Sequence, residues 1–262
     1  MRFTREPSDV GSGVLLGLST VGRMGMMTAL ALLMSLLQVT PRRLREVFRQ
    51  MYLLGIKSLP VITLVGLFMG MVLALQAGLE LRRYNQEMLI GAGVMISSLR
   101  EMGPFMTGLV LAACVGSSMA AQIGTMTVND EIAALETMSI NPVRYLVAPR
   151  MAAMVLITPV LAFYSCILSV LGGGIVAVTQ LSVPFRQYMK VAVDFADAHD
   201  LYVGLFKALV FGILVTGISC FEGFSTKQGA VGVGRATRNS VVKAFVFILV
   251  IGYIITRLFY DL

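Results

Sequence analysis

Five long apolar runs constrain this chain more than any other feature of its sequence. Each reaches the roughly 20 residues that an α-helix needs to cross about 30 Å of hydrocarbon. The runs are continuously apolar and lack the alternation of outer-membrane barrel strands, so each predicts a helix. They cover Ser58–Leu79, Met102–Gln122, Met151–Gln180, Leu201–Phe221 and Val241–Tyr260. We therefore predict an all-α integral membrane protein with five transmembrane helices.

Composition supports a bilayer setting and excludes several classes of function. Hydrophobic residues make up 57% of the chain and charged residues 13%, with a mean hydropathy of +0.83. The net charge of +7 does not indicate nucleic-acid binding, because the basic residues are dispersed at the ends of apolar runs. The sequence has no phosphate-binding loop, GxSxG elbow or HExxH motif. We therefore expect neither ATP hydrolysis nor a catalytic triad in this chain, and no bound cofactor.

The cysteines and the single histidine give only weak signals for a special site. Cys114, Cys166 and Cys220 lie in different apolar runs without a CxxC pair, which favours small buried residues over disulfide or metal roles. His199 lies among three aspartates in residues 194–200, a set that could bind a metal. A solvated loop at the outer membrane edge is the favoured interpretation.

The N-terminal apolar stretch Val14–Val39 is long enough to span the membrane, but Arg23 and several glycines interrupt it. It could instead lie flat in the interface. A basic cluster follows, and such clusters are expected on the cytoplasmic side: Arg42, Arg43, Arg45, Arg49 and Lys57. With this cluster inside, 14 of the 21 Lys and Arg residues fall in cytoplasmic segments. The C-terminal residues 261–262 are then outside.

A polar, acidic segment separates the second and third apolar runs. Thr127 stands three residues before Asp130, as in a capping box, and the pair Asn141–Pro142 stops a helix. The pattern predicts an amphipathic cytoplasmic helix over 127–140. Its apolar face consists of Val128, Ile132, Leu135 and Met138 or Ser139, while Asp130, Glu131 and Glu136 lie elsewhere. Such a helix is suited to docking against a partner.

Charges within apolar runs are candidate functional residues, because an unpaired charge in hydrocarbon is costly. The pair Arg100–Glu101 either lines a polar or headgroup-binding cavity or marks an interfacial helix end. Lys207 could meet a phosphate or snorkel to the surface. Glu222 and Arg257 are expected at the interface.

Glycine and proline predict close contacts and a kink. Gly66 and Gly70 have the four-residue spacing that permits close helix packing, within the chain or at a subunit interface. Pro159 predicts a kinked or broken third span. Gly229, Gly232 and Gly234 are assigned to the last cytoplasmic loop.

Several ordered motifs from about residue 40 to the C-terminus resemble the MlaE (YrbE) family of bacterial lipid-transport ABC permeases. The sequence motifs are LREMGP at 99–104, AAQIGTM at 120–126, EIAALE at 131–136, MSINP at 138–142, RYLVAPR at 144–150 and GAVGVGRAT at 229–237.

The resemblance implies a homodimeric, multi-pass permease of the bacterial inner membrane that moves phospholipids or related lipids. It implies one permease domain over 1–262, with an N-terminal interfacial helix at about 10–50 and a five-span core at about 52–262. It also implies a separate cytoplasmic ATPase that binds ATP and Mg, an extracytoplasmic MCE-domain carrier and a small STAS-type subunit. The expected role is outer-membrane lipid homeostasis.

The resemblance assigns roles residue by residue. Arg100, Glu101 and Lys207 match the lipid route, and Arg235 falls in a matching cytoplasmic loop. The segment 127–140 matches the coupling helix that sits on the ATPase, with Thr127, Asp130, Glu131, Leu135, Glu136 and Arg144 as contact residues. Two positions depart from the family pattern: Cys114 replaces the usual Arg, and Gln122 replaces the usual Glu. Losing both charges avoids an uncompensated buried charge if the two groups pair in relatives.

Two other functions remain open from the residues alone. A self-contained secondary transporter or channel would use Arg100, Glu101 and Lys207 as an ion or proton path and would need no ATPase. An intramembrane lipid-modifying enzyme is disfavoured because catalytic constellations are scarce. Neither accounts for the docking helix.

Overall fold

The computed structural model describes residues 7–37, 41–227 and 229–260, and in these ranges the chain is helical with no β-strand. Five helical segments are long and apolar enough to cross a membrane, as predicted. They are Leu44–Arg83, Glu87–Val128, Val143–Thr179, Ala198–Phe224 and Gly229–Phe259, called the first to fifth spans below. The all-α membrane fold class is therefore confirmed.

Helix α1 (Pro7–Leu37) precedes the five spans, and α2 (Pro41–Gly55) overlaps the beginning of the first span. Helix α1 packs against the third and fourth spans, with the Thr28 side chain directed at Gly217. Whether α1 crosses the bilayer or lies flat stays a prediction. The side chains of Arg42 and Arg43 and residues 38–40 and 261–262 lie outside the described part of the chain.

The spans extend beyond the apolar runs that predict them. The fifth begins at Gly229, twelve residues before the predicted Val241, because its first three turns are amphipathic rather than apolar. The second is a 42-residue helical run interrupted by π-helical turns at Ser98–Met102 and Ala112–Gly116. A short helix, Phe185–Asp194, was not predicted and packs on the end of the bundle that is predicted to face outward. The Tyr188 hydroxyl there donates to the Val170 carbonyl oxygen at 3.0 Å.

Close contact between the first and third spans accounts for the small residues at 66 and 70. A Cβ on Gly70 would lie 1.8 Å from the carbonyl oxygen of Ser169, and one on Gly172 would lie 2.1 Å from that of Leu67. Gly66 faces Ser165 in the same seam. The spacing therefore serves helix packing within one chain. This face is covered, so it is not the subunit interface that the sequence left open.

Replacing Gly70 with alanine is expected to destabilise the chain. The new methyl group would meet a backbone carbonyl, which cannot rotate away, so the two spans must separate. We expect an unfolding free energy lower by about 1–3 kcal/mol, typical of overpacking. Thermal unfolding of the purified chain in detergent measures this. Gly93→Ala is the matched control, because its Cβ would have ordinary contact with Ala77 at 3.7 Å. An equal effect of both variants would contradict the packing argument.

Pro159 lies inside the helix Ala148–Thr179, which runs through it without a break. The broken-helix alternative is therefore wrong, and the kink stays a prediction. The helix tolerates the proline because neighbouring helices pack around it in the membrane. Gly212 of the fourth span faces Thr158 at this level, where a Cβ would be 2.7 Å from the threonine hydroxyl.

Candidate functional site

Two ion pairs join the second span to the fourth in the half of the bundle predicted to face outward. Nε of Arg100 lies 2.8 Å from Oδ2 of Asp200, and Nζ of Lys207 lies 2.6 Å from Oε1 of Glu101. Asp200 and Lys207 are seven residues apart, so they share one face of the fourth span. The structure thus brings Arg100, Glu101 and Lys207 together, as the sequence predicted. It also adds Asp200, which was assigned to a solvated loop.

Lys207 is buried, and its ammonium group makes three hydrogen bonds within the protein. Its ammonium group donates to the Arg100 carbonyl oxygen at 2.8 Å, to Glu101 at 2.6 Å and to the Thr256 hydroxyl at 2.8 Å. The side chain is only 1% exposed. An ammonium group has three protons, and each has a partner here. The snorkelling alternative is therefore wrong, because the charge points into the protein.

The fifth span completes the arrangement through Thr256 and the residue just after its end, Tyr260. The Thr256 hydroxyl donates to Glu101 at 2.7 Å, and the Tyr260 hydroxyl donates to Oδ1 of Asp200 at 2.7 Å. The Tyr260 ring also lies under the Arg100 guanidinium, 4.6 Å from its centroid. Burial first, and then the bond to Asp200, raise the pKa of Tyr260. We call Arg100, Glu101, Asp200, Lys207, Thr256 and Tyr260 the polar cluster.

A π-helical turn and a glycine position the polar cluster. Arg100 and Glu101 lie within the π-helical turn Ser98–Met102, deep inside the second span. The interfacial helix-end alternative is therefore wrong. Gly204, between Asp200 and Lys207, lets the fourth span approach: a Cβ there would be 2.2 Å from the Leu99 carbonyl oxygen. Turns with one extra residue often occur at functional sites.

In each of the two ion pairs of the polar cluster, one partner is buried and the other is partly exposed. The side chains of Asp200 and Lys207 are 2% and 1% exposed, whereas those of Arg100 and Glu101 are 42% and 39% exposed. The buried partners hold the two exposed groups in place. A guanidinium and a carboxylate side by side complement a phosphate and an ammonium, and arginine binds phosphate oxygens through two parallel hydrogen bonds.

The acidic helix between the second and third spans is shorter than predicted. It covers Glu131–Thr137, and Asp130 and Ser139 on either side have left-handed backbone with φ of 59° and 60°. Thr127 does not cap it. The Thr127 hydroxyl donates to the carbonyl oxygens of Ile123 and Gly223, so the residue belongs to the end of the second span. The boundaries 127–140 are therefore wrong, although a helix exists between them.

The helix Glu131–Thr137, called the loop helix below, is poorly buried. Ile132 and Leu135 are half-buried, while Glu131 and Glu136 are exposed. A cavity of about 660 Å³ lies beside the loop helix and is also lined by Phe221 and Phe224 at the end of the fourth span. The loop helix therefore carries accessible carboxylates on a surface that the rest of the chain does not fill.

Two arginines of the predicted cytoplasmic end have different settings. Arg144 is exposed in a π-helical turn at the start of the third span, where the Asn141 side chain accepts from the backbone N–H groups of Val143 and Arg144. Arg235 lies in the helix of the fifth span and not in a loop, so that assignment is wrong. The helix begins at Gly229, and Gly232 in its first turn packs against the Lys227 carbonyl oxygen, where a Cβ would be 1.6 Å away.

The two departures from the family pattern sit in different environments. Gln122 accepts a hydrogen bond at 3.1 Å from Nη2 of Arg150, a buried residue of the third span. Cys114 is exposed on the described chain, unlike Cys166 and Cys220. The expectation of three buried cysteines is therefore wrong for Cys114. Its π-helical turn points it away from the core.

Other predicted site residues have surroundings that differ from those the sequence indicated. Among the described residues, no group of three His, Cys, Asp or Glu side chains could hold a metal ion. His199 instead contacts the Tyr260 ring edge-on at 5.5 Å. Glu222, expected at the interface, is buried and pairs with Lys243 of the fifth span at 2.5 Å. This pair ties the fourth and fifth spans together at the predicted cytoplasmic end.

Comparison with known proteins identifies relatives over most of the chain. The family model "Permease MlaE" matches residues 47–258. A probable ABC transporter permease protein of Rickettsia prowazekii is 39% identical over 84% of this chain and 85% of its own length. The intermembrane phospholipid transport system permease protein MlaE of Haemophilus influenzae is 35% identical over 81% and 82%. A probable ABC transporter permease protein of Synechocystis is 32% identical over 83% and 82%.

Proposed function

The chain belongs to the MlaE permease family, and we propose that it moves phospholipids between the inner membrane and an extracytoplasmic MCE-domain carrier. Family membership makes it a multi-pass inner-membrane protein and the permease subunit of an ABC transporter rather than an enzyme. The phospholipid cargo is suggested by the name of the Haemophilus relative. The expected consequence is outer-membrane lipid homeostasis.

The partial exposure of Arg100 and Glu101 in the polar cluster is the observation that carries the proposal. Arg100 and Glu101 present opposite charges at a partly exposed site deep within an apolar bundle. A zwitterionic headgroup would satisfy both charges, while its acyl chains lie against apolar span surfaces. Lys207 acts as a positioning residue, because its three hydrogen bonds are made inside the protein.

The loop helix supports the proposed arrangement of partners. ABC permeases work with an ATPase, and the exposed Glu131 and Glu136 offer it a charged contact on the predicted cytoplasmic side. We propose that ATP and Mg bind to that subunit, since this sequence has no phosphate-binding loop. A second copy of the chain, an MCE carrier and a small STAS-type subunit complete the proposed complex.

The test replaces Arg100 with glutamine in the reconstituted complex. Losing a charge-assisted phosphate contact of about 1.5–3 kcal/mol should lower lipid transfer roughly tenfold to a hundredfold. The measurement is transfer of a fluorescent phospholipid from vesicles that hold the permease and its ATPase. Arg82→Gln is the matched control, because that arginine is exposed near the outer end of the first span and pairs with Glu87.

Folding is checked separately, because Asp200 also loses its ion-pair partner in the Arg100→Gln variant. Arg100→Lys keeps a charge for Asp200 but cannot bind a phosphate through a guanidinium fork. We expect this variant to unfold near the wild-type temperature and still to transfer lipid poorly. Lipid transfer at the wild-type rate by both Arg100 variants would contradict the proposal. ATP-independent ion flux through the purified chain would favour a secondary transporter instead.

A further inference from the structure

A second polar cavity lies at the predicted cytoplasmic end, far from the polar cluster. It has a volume of about 450 Å³ and is formed by the end of α1, by α2 and by the start of the third span. Gln122, which contacts this region through Arg150, is 22 residues beyond Arg100 on the second span. At 1.5 Å per residue the separation is about 33 Å. The cavity is therefore not part of the proposed headgroup site.

The charge of this cavity is positive. Arg49, Arg144 and Arg150 line it, and Glu46 is the one acidic residue among the described residues of its lining. Arg49 pairs with Glu46 at 3.0 Å, so the Glu46 carboxylate already neutralises one of the three arginines. Arg144 is exposed and lies across the cavity from α2. An anion entering here would meet two arginines that the cavity's own carboxylate does not neutralise.

Arg150 gives an independent indication of a missing anion. Its side chain is more than nine-tenths buried. Nη2 donates to the neutral amide oxygen of Gln122, and the guanidinium also contacts the buried Cys220 side chain, while Nη1 has no hydrogen-bond partner among the described residues. The described part of the chain gives Arg150 no carboxylate within ion-pairing distance. A buried guanidinium without a counter-charge is costly, and an anion in the adjoining cavity would reduce that cost.

The surroundings of the cavity place it at the membrane surface. Helix α2 exposes the apolar side chains Leu44, Phe48 and Tyr52, while Arg49 and Gln50 turn toward the cavity. The first span has 40 residues, about twice the length needed to cross the hydrocarbon, so its amphipathic beginning fits a position in the interface with the apolar side toward acyl chains. Part of the lining is also apolar, including Met34, Val47 and Leu146. The cavity therefore offers positive charge and apolar surface at headgroup depth.

We propose that this cavity binds the headgroup of an anionic phospholipid of the cytoplasmic leaflet. The phosphate lies between Arg49 and Arg144, and its negative charge offsets the positive charge of Arg150. The glycerol end rests on the apolar lining. The lipid thereby joins α2 to the start of the third span, next to the segment that carries the loop helix. This site is independent of the proposed transport route and does not require that the chain transport lipid.

The test is native mass spectrometry of the full chain with its ATPase, supplied with phosphatidylglycerol or phosphatidylcholine. The wild type should retain one phosphatidylglycerol per chain where phosphatidylcholine is lost. Arg49→Gln/Arg144→Gln should weaken retention roughly thirtyfold, because each basic residue near an anionic headgroup contributes about fivefold. Arg82→Gln/Arg83→Gln is the matched control, because these arginines are exposed at the opposite end.

Two further variants separate a site from a general effect. Ala152→Leu should reduce retention without changing charge, because Ala152 lines the cavity. Arg100→Gln serves as a background variant that weakens lipid binding at the proposed transport route, so that a further loss of phosphatidylglycerol on adding Arg49→Gln/Arg144→Gln reports this cavity alone. Unfolding temperatures are measured for every variant.

Three outcomes would overturn the proposal. Equal retention by the two double variants would show that the arginines do not form the site. Release of phosphatidylglycerol by millimolar inorganic phosphate would indicate a site for free phosphate. Loss of the ATPase with lipid retention intact in Arg49→Gln/Arg144→Gln would show that the cavity contacts the partner protein.

Discussion

Replacing Lys207 with methionine is expected to destabilise the chain by about 3–5 kcal/mol and to abolish lipid transfer. The methionine has similar length but cannot donate to the Arg100 carbonyl oxygen, Glu101 or Thr256, which all lose a partner. Glu101 is then left as a carboxylate beside an apolar side chain. Thermal unfolding and phospholipid transfer measure the two effects. Lys190→Met is the control, because Lys190 is exposed on the short helix Phe185–Asp194.

A double variant separates the effect of Lys207 on stability from its effect on lipid transfer. In Glu101→Gln/Lys207→Met the uncompensated charge is removed, so the unfolding temperature should recover much of its loss. Lipid transfer should not recover, because the exposed carboxylate of the headgroup site is also gone. Recovery of both would show that the polar cluster only stabilises the fold. No recovery of stability would contradict the assignment of Glu101 as the partner of Lys207.

The apolar runs predicted the spans well because membrane insertion is governed by local composition. Every predicted span lies within or close to an observed helical segment. Their ends were less predictable, since a helix continues past the apolar run wherever its backbone hydrogen bonds and side-chain contacts allow. Arg235 illustrates this, because the glycines and polar residues around it favoured a loop, whereas the helix already begins at Gly229.

The polar cluster could be predicted only in part. Arg100, Glu101 and Lys207 stood out because charges are rare in apolar runs. Asp200 precedes Lys207 by seven residues, a spacing that places both on one helix face. The sequence contained this signal, but the aspartates around His199 favoured a solvated loop instead. Thr256 and Tyr260 gave no such signal, because threonine and tyrosine are ordinary at helix ends. Their roles depend on how the fifth span packs.

The loop helix shows why capping patterns mislead near the end of a longer helix. Thr127 and Asp130 have the spacing of a capping box, but the threonine hydroxyl bonds back to the Ile123 carbonyl oxygen within the second span. Serine and threonine often make this bond inside helices. The true start of the loop helix is set by the left-handed backbone of Asp130, which sequence spacing alone did not reveal.

Reversing the charges of the loop helix is expected to detach the ATPase while leaving the permease folded. Glu131 and Glu136 are exposed, so lysines there remove no internal contact of the described chain. An interface that uses these carboxylates would then face like charges, and we expect ATPase binding to weaken about tenfold or more. The measurements are ATPase co-purification with Glu131→Lys/Glu136→Lys and ATP-dependent lipid transfer by vesicles.

The control for this experiment must reverse charge without touching the loop helix. Glu80→Lys is suitable, because Glu80 is exposed near the outer end of the first span and makes only a surface pair with Arg83. The two proteins should unfold at similar temperatures, since none of the three glutamates is buried. Detachment in the loop-helix variant alone would locate the coupling surface on Glu131–Thr137. Unchanged ATPase binding and transfer in that variant would remove the coupling role from this helix.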